Sequence, residues 1–262
     1  MNKNIYLRKQ EQLVFHAIPP RDIVTSTELE DEFPQLSAAQ LNKIVSQLCA
    51  KGYLHRVKRG VYLVQETPSE APYINNPYKV ALAIYKGYIG FSSALRVYHL
   101  LDYEPFTIFV VTVNKSREKK IGDYTLKAVA MGERAVGITF HEGIYTSTLV
   151  KTFFDCFYKP HYSGGYSAIT KALYDVELDW DEFLTYFGAF ASDSLWQRTG
   201  YVLDLIREET GKLIPGLEVF RSHVKTNTKL VPSGKAGGKY NRGWKVLDNL
   251  GKENILSWWY YG

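Results

Sequence analysis

Three stretches of this 262-residue chain hold residue types that can do chemistry. The first, Ser233-Gly234-Lys235-Ala236-Gly237-Gly238-Lys239, has the glycine and lysine content of a phosphate-cradling loop. That chemistry needs glycine, four residues, then Gly-Lys-Ser/Thr, set between a strand and a helix. Here Ser233 stands in the first glycine position and Tyr240 in that of the Ser/Thr, so the stretch reads as a flexible basic loop. The second, His141-Glu142, sits at the end of an expected strand, where neighbouring side chains point to opposite faces and cannot act on one substrate. The third, Asp155-Cys156, suggests a nucleophile. Cys156, however, lies among Phe153, Phe154, Phe157 and Tyr158, and reads as a buried thiol of the inert kind.

The histidines at 16, 55, 99, 141, 161 and 223 are scattered, and no pair has metal-ligand spacing. Cys49 lies in an amphipathic helical stretch, and a disulfide with Cys156 is not expected. The residues assemble no catalytic constellation. The expectation is a protein that is not an enzyme, with no cofactor and no metal.

Charge is more informative by position than in total. The whole chain carries +5, yet residues 221–252 alone carry +7, with Asp248 as their one acid. Lys225, Lys229, Lys235, Lys239, Arg242 and Lys245 therefore form a possible second nucleic-acid surface. A solvated, loosely ordered tail is the other reading of the same residues. The aromatic run Trp258-Trp259-Tyr260-Tyr261 closes the chain and is expected to fold back onto the domain, because consecutive aromatics rarely stay in water. No apolar run reaches the ~20 residues of a membrane span, and the polar start Met1 to Gln10 lacks a signal core. A cytoplasmic protein without a membrane partner is expected.

The elements that position these residues begin with a compact unit over residues 1–67. Arg8 to Ile18 reads as a helix with Leu13, Val14 and Ala17 on one face, stopped by Pro19-Pro20. Asp22 to Val24 is extended. Ser26 or Thr27 then caps a helix through Leu29 to Phe33, and Pro34 ends it. Ser37 followed three residues later by Gln40 is a capping box. Its helix runs on through Leu41, Ile44, Val45 and Leu48 to the Lys51-Gly52 stop. Tyr53–Val57 and Val61–Val64 then alternate as strands joined by a Lys58-Arg59-Gly60 tip.

Three helices and a basic hairpin make a winged helix. Residues 68–77, with Pro68, Pro72 and Asn75-Asn76, have linker composition. Residues 78–262 make a second domain. In it, Tyr78 to Tyr85 is helical, Ser92-Ser93 caps a helix from Ala94 to Leu101, and Phe106–Val113, Tyr124–Met131 and Ile138–His141 are strands. Lys115 to Lys120 reads as an unusually charged turn. From Ser147 the pattern is helical, over Leu149–Phe157, Tyr166–Tyr174, Asp181–Phe190 and Leu195–Glu209. The fold class is α+β: an N-terminal winged helix-turn-helix followed by a mixed α/β domain with a helical second half.

In a helix-turn-helix the second helix enters the major groove. With Leu41, Ile44, Val45 and Leu48 facing the core, Ala39, Asn42, Lys43 and Ser46 face outward, with Gln40 and Gln47 at the flanks. Asn and Gln can bond adenine edges, Lys can bond guanine or phosphate, and Ala39 leaves room for a thymine methyl. Ser37 at the helix start suits a phosphate. His55, Arg56, Lys58 and Arg59 cluster around the wing tip and suit a backbone or minor groove. Residues 1–67 carry only +2, but their acids crowd the second helix and their cations the third helix and wing. A protein–protein module of the same fold is the competing reading.

The wing string Gly52-Tyr53-Leu54-His55-Arg56-Val57-Lys58-Arg59-Gly60-Val61-Tyr62 resembles that of AbiEi-type antitoxins from type IV toxin–antitoxin (abortive infection) systems. Gly90-Phe91-Ser92-Ser93-Ala94-Leu95 with His99-Leu100 is similar to the opening of that family's C-terminal domain. Thr152 to Pro160 with Gly164-Gly165 resembles its helix, proline and double-glycine element. Arg198-Thr199-Gly200-Tyr201-Val202-Leu203-Asp204 resembles its Arg-Leu-Gly-Tyr helix. The resemblance implies a transcriptional repressor that autoregulates its own operon through inverted repeats in double-stranded promoter DNA. It also implies a C-terminal domain that counteracts a nucleotidyltransferase-like toxin without a stable complex. Cooperative DNA binding, by a monomer or dimer, goes with it. Ser37, Asn42, Lys43, Arg56, Lys58 and Arg59 would contact the DNA. Two alternatives stand beside this: a stand-alone winged-helix regulator with a ligand-sensing or dimerising C-terminal domain, and a nucleic-acid-processing enzyme.

Overall fold

A computed structural model describes residues 5–18, 22–235 and 237–262. The chain divides into two compact units, one of Met1–Tyr88 with Phe106–Met131 and one of Ile89–Pro105 with Gly132–Gly262. The architecture is α+β, beginning with a winged helix-turn-helix. The units do not divide at 68–77; that stretch lies inside the first, which the chain re-enters after residue 105.

The first unit opens with α1 (Lys9–Ala17), β1 (Ile23–Thr25), α2 (Ser26–Glu32) and α3 (Ala38–Ala50), followed by β2 (Leu54–Lys58) and β3 (Val61–Val64). Val14, Leu29, Phe33, Leu41, Ile44, Val45, Leu48 and Leu54 form its core. The helical spacing of the α3 residues puts them on one stripe, as expected. The α1 face differs from expectation. Leu13 is 57% exposed, and the buried stripe is Glu11, Val14 and Ile18. Polar Glu11 takes the inward place because its carboxylate is used: it accepts from the Arg8 amide at 2.6 Å and from Lys51 Nζ at 2.5 Å. It thereby ties the start of α1 to the end of α3. The Pro19-Pro20 stop lies outside the described residues.

The cap of α2 is also corrected, from Ser26 or Thr27 to Thr25. Thr25 Oγ1 accepts from the Glu28 amide at 3.2 Å, and the Thr25 amide donates to Glu28 Oε2 at 2.7 Å. Strand pairing decides this, because Thr25 is the last residue of β1 paired with β3 and the Ser26 amide donates to the Gly60 carbonyl at 2.9 Å. The helix must start at once. Gly52 ends α3 at φ +82°, where an added Cβ would meet the Ser69 carbonyl oxygen at 2.5 Å, so only glycine fits. The 65–73 segment is fastened rather than loose: the Gln65 side chain bonds the Tyr73 amide at 2.8 Å and the Tyr73 carbonyl at 3.0 Å.

The unit continues with α4 (Pro77–Ile84), capped by Asn76, and reaches β4 (Tyr88–Ile89), where the second unit begins. It resumes with β5 (Thr107–Thr112), β6 (Arg117–Ile121) and β7 (Tyr124–Ala130). β5 and β7 are parallel and β6 is antiparallel to β7. The expected charged turn at Lys115 to Lys120 is therefore mostly an edge strand, which tolerates charge on both faces because neither is fully covered.

The second unit contains α5 (Phe91–Val97), the hairpin β8 (Ile138–His141) and β9 (Ile144–Ser147), and the helices α6 (Leu149–Tyr158), α7 (Gly165–Tyr174), α8 (Trp180–Phe190), α9 (Asp193–Thr210) and α10 (Leu217–Ser222). The residue before α5 is Gly90, and Ser92 and Ser93 are buried inside the helix rather than capping it. β9 was not expected; a two-residue turn returns the chain antiparallel to β8, and Thr146 pairs with Ile89 of β4 in parallel. Phe153, Phe154, Phe157, Phe183, Phe187, Trp196 and Phe220 form an aromatic core between the helices. Last come β10 (Thr228–Lys229), β11 (Lys239–Asn241) and β12 (Val246–Asp248), in the order β10-β12-β11, then α11 (Lys252–Ile255) and α12 (Ser257–Tyr261). The closing aromatics fold back in part: Trp258 donates to Thr170 Oγ1 at 2.9 Å and the Tyr260 hydroxyl to Glu209, while Trp259 and Tyr261 stay exposed.

Candidate nucleic-acid interface

The expected DNA-facing residues of α3 lie where the apolar stripe leaves them. Ser37, Ala39, Gln40, Asn42, Lys43 and Ser46 are exposed and Gln47 is half-buried. The Ser37–Gln40 capping box is formed. Gln40 Oε1 accepts from the Ser37 amide at 2.9 Å, and Ser37 Oγ accepts from the Gln40 amide at 3.3 Å. This fixes the start of the helix, and it takes up the oxygen of Gln40, which keeps only its NH₂ for other partners. Asn42, Lys43, Ser46 and Gln47 make no side-chain hydrogen bond among the described residues, so their donors and acceptors are unengaged.

The wing is built on an irregularity. β2 pairs with β3 at Arg56↔Tyr62 and then at Lys58↔Val61, so Val57 is an extra, bulged residue. A bulge bends its strand and leaves one residue outside the ladder. Val57 turns its side chain into the core, while Arg56, Lys58 and Arg59 are exposed around the tip. Gly60 turns the chain at φ +72°. Two of the expected contacts are placed differently from a free cationic tip. Lys58 Nζ donates to the Ile84 carbonyl at 3.1 Å, and His55 Nε2 is 3.4 Å from Ser69 Oγ, beside the fastened 65–73 segment. Arg56 and Arg59 keep free guanidinium groups among the described residues. The acids of α2, Glu30, Asp31 and Glu32, are exposed on a different helix.

The C-terminal cations are partly spent on the fold of their own unit. Lys225 pairs with Asp193 at 2.9 Å, Arg221 with Asp204 at 2.6 Å and Lys252 with Glu209 at 2.8 Å. Lys245 Nζ donates to the Lys225 carbonyl at 3.0 Å. Lys229, Lys235, Lys239 and Arg242 make no side-chain hydrogen bond or ion pair among the described residues. Lys235, Lys239 and Arg242 line an open cleft of about 840 Å³ together with Tyr201, Leu205 and Glu208. Ala236, in the middle of the glycine- and lysine-rich loop, lies outside the described residues.

The other chemical candidates disperse. Glu142 meets His99 at 3.0 Å, not its neighbour His141, whose ring packs beside Tyr98. Cys156 is fully buried, and burial pushes its thiol far above the range of a reactive thiolate. Asp155 bonds Lys151 Nζ at 2.5 Å, both fully buried. That pair was missed from the sequence, although the i, i+4 spacing of a cation and an acid in an otherwise apolar helix was the signal for it. Among the described residues no group of three or more His, Cys, Asp or Glu could hold a metal ion, and no helix is long and apolar enough to cross a membrane.

The whole architecture has a counterpart. The structure is similar to the crystal structure of the RV2827C protein from Mycobacterium tuberculosis. The TM-score is 0.66, and the similarity covers 95% of this chain and 92% of that one. Sequence identity is 13%, so the likeness is one of fold. No family model matches the sequence, and no curated protein does.

Proposed function

We propose that this protein is a duplex-DNA-binding transcriptional repressor that reads its operator with α3 and clamps the flanking backbone with the wing. The observation that carries the reading is the pairing of a capped helix whose outer face offers unengaged Asn42, Lys43, Ser46 and Gln47 with a hairpin tip that offers free Arg56 and Arg59. Amide and hydroxyl groups suit base edges, and guanidinium groups suit phosphate. Within this reading the repressor autoregulates its operon and serves as the antitoxin of a type IV toxin–antitoxin system, as the AbiEi resemblance implies. It counteracts a nucleotidyltransferase-like toxin without a stable complex, and binds promoter inverted repeats cooperatively as monomer or dimer.

Fluorescence anisotropy with duplex DNA from the chain's own upstream region, across a salt series, is the test. Binding tighter than to scrambled duplex, with a steep negative salt slope, is expected. Sequence-indifferent, salt-insensitive binding would remove the reading. The open cleft of the second unit favours one alternative, a stand-alone regulator whose C-terminal unit senses a ligand. Coexpression with a nucleotidyltransferase encoded beside it separates the two: rescue of growth belongs to the antitoxin alone.

A further inference from the structure

The charged stretch Lys115 to Lys120 has no part in the reading above, yet the fold brings it to the wing. In β6, Arg117, Glu118, Lys119 and Lys120 are all exposed. The strand's one acid, Glu118, is paired with Lys127 of β7 at 3.0 Å. Alternation puts Arg117, Lys119 and Ile121 on one face and Glu118 and Lys120 on the other. Ile121 is buried, so the first face turns toward the body of the unit.

On that face Lys119 Nζ donates to the carbonyl of Val57, the bulged residue of the wing. Lys58 Nζ donates to the carbonyl of Ile84 at the last residue of α4. Arg117 lies two residues before Lys119, on the same face of β6. Lys58 and Lys119 thus meet at the root of the wing from two stretches that are far apart in sequence, and Arg117 follows on the Lys119 face of β6. Among the described residues none of the three has a carboxylate within ion-pair distance. Carbonyl dipoles orient Lys58 and Lys119, and Arg117 makes no hydrogen bond among the described residues, so no carboxylate offsets the three charges and an outside anion would balance them.

We infer that β6, through Arg117 and Lys119 together with Lys58, forms a second contact with the phosphate backbone of duplex DNA, beside the wing. The inference rests on the winged-helix reading, and it extends the bound face beyond residues 1–67 onto a strand of the same compact unit. Duplex DNA is chosen because the cations flank a wing tip already shaped for its backbone, and because their spread along a strand suits a row of phosphates better than a single small anion.

Anisotropy of the full chain with a mixed-sequence duplex, over a salt series, tests it. Each phosphate contact adds about −0.9 to the slope of log K against log salt. Arg117→Gln with Lys119→Gln should therefore make the slope shallower by about 1.8, and Lys119→Arg should restore its half. Lys119 also holds the wing carbonyl, so thermal unfolding accompanies each variant. Should Lys119→Gln melt early, Arg117→Gln alone, which gives up no hydrogen bond within the fold, still predicts a change of about 0.9. An unchanged slope in both Arg117→Gln and the double variant, with Arg59→Ala flattening it, would overturn this inference and leave the wing reading standing. A slope that moves with none of them removes both.

Discussion

The Trp244 indole donates to Asp204 Oδ2 at 2.8 Å, and the same carboxylate takes Arg207 and Arg221 at 2.7 and 2.6 Å. This buried acid on α9 is the anchor of the C-terminal segment. Arg221 stacks on the Trp244 ring at 4.6 Å, Gln197 bonds the Thr226 and Trp244 carbonyls, and the Tyr201 hydroxyl bonds Asp248 at 2.9 Å. The approach is possible because α9 has a glycine there. A Cβ at Gly200 would meet the Trp244 ring at 2.3 and 2.6 Å and Phe220 Cβ at 2.8 Å.

Gly200→Ala should therefore destabilise the second unit, since overpacking of this kind costs roughly 1–3 kcal/mol and exceeds the ~1 kcal/mol that alanine adds to a helix. Gly188→Ala is the contrast: it sits in α8 with nothing within 4 Å of the added Cβ, and should stabilise by about 1 kcal/mol. Urea unfolding of the two variants should move in opposite directions. If Gly200→Ala is neutral, the close packing is not what holds the segment.

The start of α3 separates stability from recognition. Ser37→Ala loses the cap and should cost about 1 kcal/mol in urea unfolding. Ser37→Asp keeps the cap and suits the helix dipole, so stability should hold. Its negative charge would nonetheless stand where a phosphate is expected, and DNA affinity should fall. A folded Ser37→Asp variant with undiminished binding would place the DNA away from this helix start.

Elements whose pattern is local were legible. The α3 stripe, the Ser37–Gln40 box and the Gly60 turn are short-range consequences of residue type, and the chain realises them as read. What was not legible depended on partners outside the element itself. Nothing near Leu13 says that Glu11 will be buried in its place; the reason is Lys51, forty residues on. The Lys115 to Lys120 stretch looks like a turn because its charges suit one, and it becomes a strand because β7 pairs with it across Gly122-Asp123. Lys58 reads as a free wing cation until Ile84 is brought against it. The face of the candidate site was thus readable from periodicity, whereas which of its cations are engaged by the fold was not.

Within the interface, base readers and backbone holders should differ in what they do to specificity. Asn42→Ala should cost about 1–3 kcal/mol on the operator and little on scrambled duplex, because a bidentate adenine contact discriminates between bases. Arg59→Ala should weaken both duplexes alike and make the salt slope shallower by about 0.9. The pair is measured in one anisotropy series. Equal losses on operator and scrambled DNA for Asn42→Ala would mean that α3 does not read bases.

The buried pair on α6 predicts a pH dependence whose sign can be worked out. Burial pushes the Asp155 carboxyl up to about 6, against the pull of Lys151, from an ordinary value of 3.8. Between those two values the folded chain holds a proton that the unfolded chain has released. Asp155 therefore contributes stability that is complete below the lower value and lost as pH rises through the upper one. Lys151 is pushed down from 10.5 by burial, so the unfolded chain keeps that proton longer and stability recovers as the solution becomes alkaline. Lys151→Met with Asp155→Leu removes both titrations and leaves a packed apolar site, a replacement that is often neutral or stabilising. The unfolding free energy of the native chain minus that of the double variant should decline from about pH 4 to about pH 6. A flat difference would mean that Lys151 keeps the carboxylate ionised throughout. Lys151→Met alone strands the acid and should cost about 3–5 kcal/mol where the carboxyl is ionised, but less in acid, where it is neutral.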